Sequence, residues 1–271
     1  GPRYISVLGS IDGVDGHLFP NFNAIGVYAH CRPNPTAANM KAVFAHDHRF
    51  IEAEEKVWSE SQFDSALWSR YLTHIDALTV AGRHGTVPQG KAPEDLELSS
   101  APNVYFELFP NLSSLKGLTL RRPAAASRMQ ALVAEHDAVI ARLPSELGLL
   151  AIGAARTQDR PWAVEVVGCP WDGLWNYGSI VGRFYAPLAY LRMRRAVGQA
   201  DHAIYVTREF LQRRYPSKAA NQAYASNVAL EKVSPKVLEG RLARIAAMGG
   251  RPLRLGLIGT LRSRYKGIQT L

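Results

Sequence analysis

Close to its C-terminal end the chain passes from an apolar stretch, Leu253–Ile258, through a glycine turn at Gly259 into a segment carrying Arg262, Arg264 and Lys266. The pattern reads as a strand, a turn and the first turn of a helix. Backbone N–H groups at a helix start attract anions, and fixed cations beside them strengthen the attraction, so the chemistry on offer is a phosphate site. The spacing matches neither the P-loop nor the Gly-x-Gly-x-x-Gly fingerprint, which argues against those two nucleotide families. The alternative is an ordinary βα turn with exposed basic residues.

Other polar residues fall at the carboxyl ends of expected strands, where open parallel sheets bind ligands. His46, Asp47 and His48 follow the first strand. A His-x-His pair invites a metal reading, but two ligands on one short loop make a poor site. Hydrogen-bonded structural histidines are the alternative to a ligand-binding role, and Asp47 could orient a hydroxyl. Arg142 and Ser145 close the fourth strand; a surface ion pair is the other reading of Arg142. Glu165 lies inside the fifth strand, as a ligand or as a satisfied structural carboxylate. The segment Gly168–Gly178 reads as a loop in which Trp171 and Trp175 could stack on a sugar ring. Asp172 and Asn176 could hydrogen-bond its hydroxyls; alternatively the tryptophans anchor the loop to the core.

These residues need a scaffold, and the periodicity supplies one. Strands are expected at Ala42–His46, Ala77–Ala81, Val104–Leu108, Ala138–Ala141, Trp162–Val167 and His202–Val206. Helices are expected at Phe63–His74, Ser127–His136, Ser145–Ala155 and Tyr185–Gln199, with a further helix after Thr207 as N-cap and another at Pro235–Met248. Arg83–Pro102 reads as a loop and Lys218–Ala225 as a polar stretch. Alternation at this spacing predicts an α/β fold with a doubly wound parallel sheet flanked by helices. Residues 1–39 look unlike the rest: an atypical extension, or an extra hairpin using Tyr4–Leu8 and Ala24–Tyr28.

The 271 residues allow one or two domains, with 47% hydrophobic and 20% charged residues. No run approaches the length of a membrane-spanning helix, and no secretory signal is visible. Cys31 and Cys169 cannot form a disulfide framework or a metal cluster. A cytoplasmic protein is expected. The net charge of +9 calls for an anionic partner, and much of the excess lies between Arg183 and Lys218. That face is either a solvated helix surface or a functional basic surface facing anionic lipid headgroups.

Taken with the last segment, Ala200–Thr207, Phe210–Pro216 and Pro161–Gly168 give an order and spacing that resemble family 4 glycosyltransferases. Phe44–His48, Asp76–Arg83 and Asp137–Ser145 fit the same pattern, and the resemblance spans residues 40 to 271. It implies a two-domain GT-B enzyme in which residues 40–225 form a Rossmann-like acceptor-side domain and 226–252 an interdomain linker and helix. Residues 253–271 would be the first βα unit of a second Rossmann-like domain, the donor-binding one. It further implies retaining transfer from a nucleotide-sugar donor to a saccharide or lipid-linked acceptor, in bacterial polysaccharide or glycoconjugate synthesis. Lys266 matches the family's donor-diphosphate lysine. The arginine expected in that turn is not at Thr260, so Gly259, Arg262 and Arg264 stand beside Lys266 as the donor set. His46, Asp47, Arg142, Ser145, Trp171 and Asp172 form the acceptor set.

No cofactor and no metal are expected, since fixed cations and helix ends can stabilise a diphosphate leaving group. The glutamate motif expected of the family is absent before Leu271, so this chain is expected to be catalytically incomplete. The alternative is a non-catalytic sugar- or partner-binding scaffold of the same fold. A nucleic-acid partner rests on charge alone and is not expected. An anionic membrane surface is the further partner to test, with the protein peripheral on the membrane's inner face.

Overall fold

The first strand, β1 (Lys41–Ala53), is the hub of the sheet. In the computed structural model the described residues are 39–114, 117–176, 179–227 and 234–249. The expectations for residues 1–38 and 253–271 lie outside them. The elements that follow are β2 (Lys56–Ser59), α1 (Ser65–Leu72), β3 (Ala77–His84), β4 (Glu97–Leu98), β5 (Val104–Phe109), α2 (Arg122–Ala134) and β6 (Ala138–Leu143). Then come α3 (Glu146–Thr157), β7 (Trp162–Val166), α4 (Pro170–Asn176), α5 (Ile180–Gly198), β8 (His202–Tyr205), α6 (Phe210–Arg214), β9 (Asn221–Tyr224) and α7 (Pro235–Ala246).

The parallel strands lie in the order β5-β3-β1-β6-β7-β8-β9, with β1 paired to β3 on one side and to β6 on the other. The chain therefore winds outward from β1 in one direction and then returns beside it to wind the other way. The expected doubly wound α/β sheet is what the structure has. Period-2 alternation sends each strand's side chains into two cores. Val43 and Ala45 join a core packed against α2, α3 and α5. Ala42 and Phe44 face the opposite way, into an aromatic core with Phe63, Trp68 and Tyr71 of the α1 region. Burial on both faces is why the central strands read as continuous apolar runs.

Some elements differ from expectation. β1 runs past His46 to Ala53 and turns back antiparallel as β2, because Phe50 and Ile51 are buried and Trp58 packs over Ile51. The Arg83–Pro102 loop contributes β4, paired with β2. Helix α2 begins at Arg122 rather than Ser127, with a proline in its first turn, where a missing N–H costs nothing. The segment read as a loop after β7 contains the helix α4, and α5 starts at Ile180, five residues before the expected Tyr185. The polar run 218–225 contains β9, held by pairing to β8 and not by any apolar pattern of its own.

Local signals elsewhere act as sequence chemistry requires. Asp64 caps α1, accepting from the Leu67 amide at 2.9 Å. Ser145 is not the first residue of α3 but its N-cap, accepting from Gly148 N–H at 2.9 Å. Thr207 is not the N-cap expected of it: α6 is capped at Glu209, and the Thr207 hydroxyl reaches in from two residues earlier to accept from Leu211 N–H at 3.0 Å.

Candidate functional site

The sheet reverses its winding direction between β1 and β6, and the helices leaving them go to opposite faces. The chain after β1 leads to α1 on the aromatic face, and β6 leads directly to α3 on the other. Such a switch point opens a crevice at the carboxyl ends of the two strands, the place where α/β sheets bind ligands.

Register brings a row of polar side chains to this crevice. Ala45 pairs with Ala141, which sets His46 beside Arg142, and Arg142 pairs directly with Glu165 on β7. His46, Arg142 and Glu165 thus form a row on the α1 side of three adjacent strands. Arg142 donates to Glu165 Oε2 at 3.0 Å, and Tyr71 of α1 donates to Glu165 Oε1 at 2.8 Å. Glu165 is therefore a satisfied carboxylate, ion-paired in a nearly dry setting. The Arg142 guanidinium lies 5.4 Å from the Phe63 ring centre, and its buried Nε has no hydrogen-bond partner.

The histidines are neutral and their tautomers follow from their partners. His46 Nδ1 lies 3.1 Å from the Arg142 carbonyl oxygen. A carbonyl can only accept, so Nδ1 carries the proton and Nε2 keeps its lone pair. Burial, and then the Arg142 charge, push the His46 pKa down to about 3. His48 Nε2 contacts Ser59 Oγ at 2.6 Å, and that hydroxyl already donates to the Ser61 carbonyl, so His48 is the donor. Burial, followed by the nearby Arg83, lowers the His48 pKa to about 4. Both rings lie against Phe63.

Alternation takes Asp47 to the opposite face. Its carboxylate accepts from the Glu146 amide at 2.7 Å and from the Leu147 amide at 3.2 Å, capping α3 from the middle of β1. His46, Asp47 and His48 consequently do not converge. Among the described residues no group of three or more His, Cys, Asp or Glu is placed to hold a metal.

The remaining expected residues divide by placement. Ser145 is buried, with its hydroxyl used for capping. Trp171 and Trp175 stack on each other, 5.4 Å between centres and 11° between planes, and Trp171 meets Tyr190 edge-on. One face of each indole is thus spent within α4. Asp172 pairs with Arg214 at 3.1 Å, and Asn176 donates to the Asp172 carbonyl at 2.9 Å. The α4 group is thus held by contacts to Tyr190 of α5 and Arg214 of α6. Gly259, Arg262, Arg264 and Lys266 lie outside the described residues.

The structure adds residues that spacing did not single out. Arg83, at the end of β3, bears electrostatically on His46, Asp47 and His48. Glu146, on the α3 side of the crevice, accepts from Arg122 at 2.7 Å, Tyr185 at 2.6 Å and both terminal nitrogens of Arg192 at 2.7 and 2.8 Å. Burial raises its pKa, but the Arg192 and Tyr185 hydrogen bonds outweigh that, and Glu146 titrates below the usual range. Arg83 was reachable by the strand-end rule that located Arg142. Glu146 was not, because its partners come from residues 122, 185 and 192.

No family model matches the chain. Protein CapJ of Staphylococcus aureus is 30% identical over 229 residues, covering 84% of this chain and 55% of that protein. The chain thus spans about half the length of that relative. Among solved structures, a UGT transferase from Siraitia grosvenorii in complex with UDP is 11% identical at a TM-score of 0.41, covering 75% of this chain and 54% of that one. A UDP-N-acetylglucosamine 2-epimerase is 16% identical at 0.42, with 74% and 54% covered. A sucrose-phosphate synthase fragment from Thermosynechococcus elongatus is 14% identical at 0.36, with 76% and 99% covered. Likeness of that degree says nothing of what this chain binds.

Proposed function

We propose that this chain is the acceptor-side part of a retaining, nucleotide-sugar-dependent glycosyltransferase that builds bacterial polysaccharide or glycoconjugate. The observation that carries the reading is the row His46, Arg142 and Glu165 at the switch point, joined by its own hydrogen bonds and held by Tyr71 of α1. A neutral imidazole with an unprotonated Nε2 can accept a hydrogen bond from a sugar hydroxyl. Beside it, the Arg142–Glu165 ion pair supplies fixed polar groups suited to a hydroxyl-rich ligand. Such preorganised groups stabilise developing charge without reorganising during reaction.

In this reading the crevice holds a saccharide or lipid-linked acceptor. The turn at Gly259, with Arg262, Arg264 and Lys266, meets the donor diphosphate, and no metal takes part. The resemblance of the chain's motifs to family 4 glycosyltransferases supports the donor assignment. Calorimetric titration with UDP- and GDP-sugars tests it. One nucleotide sugar should bind, and Lys266→Ala should weaken it by about tenfold or more, the scale of a lost charge-assisted hydrogen bond. Saccharide binding that His46→Ala or Arg142→Ala abolishes, with no nucleotide sugar bound by the chain, would replace this reading with a sugar-binding scaffold.

A further inference from the structure

Helix α5 is apolar on two opposite sides. Its inward side is made of small or slender residues, Ala186, Ala189, Met193, Ala196 and Val197, all buried, the last three in the core shared with α2 and α3. Its outward side carries the larger ones: Ile180, Val181, Phe184, Leu188 and Leu191. Phe184 is 83% exposed and Ile180 71%. At 3.6 residues per turn these five fall within an arc of about 100°, centred opposite the buried side. A helix that is apolar all round is ordinarily covered on every side, and a contiguous exposed apolar stripe marks an interaction surface.

Charge selects the occupant. The helix contains no Asp or Glu, and Arg183, Arg194 and Arg195 border or extend the stripe. Lys218 joins Leu191, Arg194 and Arg195 around a shallow pocket at its C-terminal end. A second copy of this chain, with the same +9 balance, would set arginine against arginine. A surface that is apolar inside and negative at its boundary matches both halves of the pattern. No helix among the described residues is long and apolar enough to cross a membrane, so the fit is to the interface rather than the bilayer core.

We propose that the outward face of α5 docks on an anionic lipid surface. Phe184, Leu188 and Leu191 enter the headgroup boundary, and Arg183, Arg194, Arg195 and Lys218 meet lipid phosphates. The basic helix noted in the sequence is therefore an apolar anchor with a basic margin. This docking is independent of what the switch-point row binds, so its failure would leave the proposed transfer reaction standing.

Co-sedimentation of the 271-residue chain with phosphatidylcholine vesicles, with and without phosphatidylglycerol, tests it. At low salt the chain should be retained by the anionic vesicles only. Arg194→Gln with Arg195→Gln should weaken partitioning about fivefold per charge. Phe184→Ser with Leu191→Ser should weaken it by about tenfold or more. All four positions are exposed, and unchanged thermal melts would show that the variants remain folded. Absence of retention at low salt would overturn the proposal. So would equal binding to neutral vesicles, or a dimer in sedimentation equilibrium that Phe184→Ser dissolves without any vesicle binding.

Discussion

Asp47 and Glu146 are joined across 99 residues of sequence by a 2.7 Å hydrogen bond from the Glu146 amide to the Asp47 carboxylate. With a second bond from Leu147 N–H, Asp47 in the middle of β1 becomes a cap for α3 and ties the two elements at the switch point together. Replacement by alanine leaves buried amides without an acceptor. Asp47→Ala should therefore lower unfolding stability by about 2 kcal/mol in urea titrations. Asp47→Asn, whose amide oxygen still accepts, should lose less, and equal losses would remove the cap from the account.

The two site histidines make the fold sensitive to mild acid. Both titrate below their ordinary 6.5 in the folded chain, His46 at about 3 and His48 at about 4, chiefly through burial. The unfolded chain thus binds protons that the folded chain refuses. Their contribution is complete above pH 6.5 and is lost as the pH falls toward 4. Asp47, raised by burial, has the opposite sign, its contribution shrinking as pH rises through the carboxylate range. Denaturant midpoints measured from pH 7.5 to 4.5 should therefore fall, and the slope should flatten in His46→Gln. An unchanged slope in that variant would locate the sensitivity elsewhere.

Glu165 holds two partners from different elements, Tyr71 and Arg142. Removing the carboxylate strands a buried guanidinium, so Glu165→Ala should cost about 3–5 kcal/mol. Tyr71→Phe removes one hydrogen bond and should cost about 1–2 kcal/mol. Because both act on one carboxylate, the double variant should depart from additivity by about 0.5 kcal/mol or more in the same titrations. Simple additivity would mean that the two contacts are independent.

Gly82 closes the aromatic core next to Arg83. A Cβ built there would overlap Cδ2 of Phe50, whose ring is fully buried. Gly82→Ala should overpack the core by about 1–3 kcal/mol, read as a lower thermal midpoint. Phe50→Leu in the same chain should recover part of that loss if the ring is the obstacle.

The alternation of strand and helix from Lys41 to Tyr205 was legible because a strand buried on both faces must be apolar throughout. Local chemistry also made Ser145 readable as a residue at a helix start, whereas the cap expected at Thr207 falls at Glu209. Burial that depends on distant partners was not legible. β9 is polar and forms only by pairing with β8, and α4 looked like a loop because its tryptophans and Asp172 find Tyr190 and Arg214 far along the chain.

At the site, strand ends nominated His46, Asp47 and Arg142, and Glu165 was noted inside the fifth strand. Register and alternation then separated them, leaving His46, Arg142 and Glu165 on one face and turning Asp47 to cap α3 on the other. Glu146 needed the fold itself, since Arg122, Tyr185 and Arg192 reach it only when α2, α3 and α5 share a core. Likewise α5 showed its basic residues in sequence, but only tertiary packing decided which of its two apolar sides is buried. The reason is physical: a side chain's type is local, whereas its exposure and partners are set by which elements close over it.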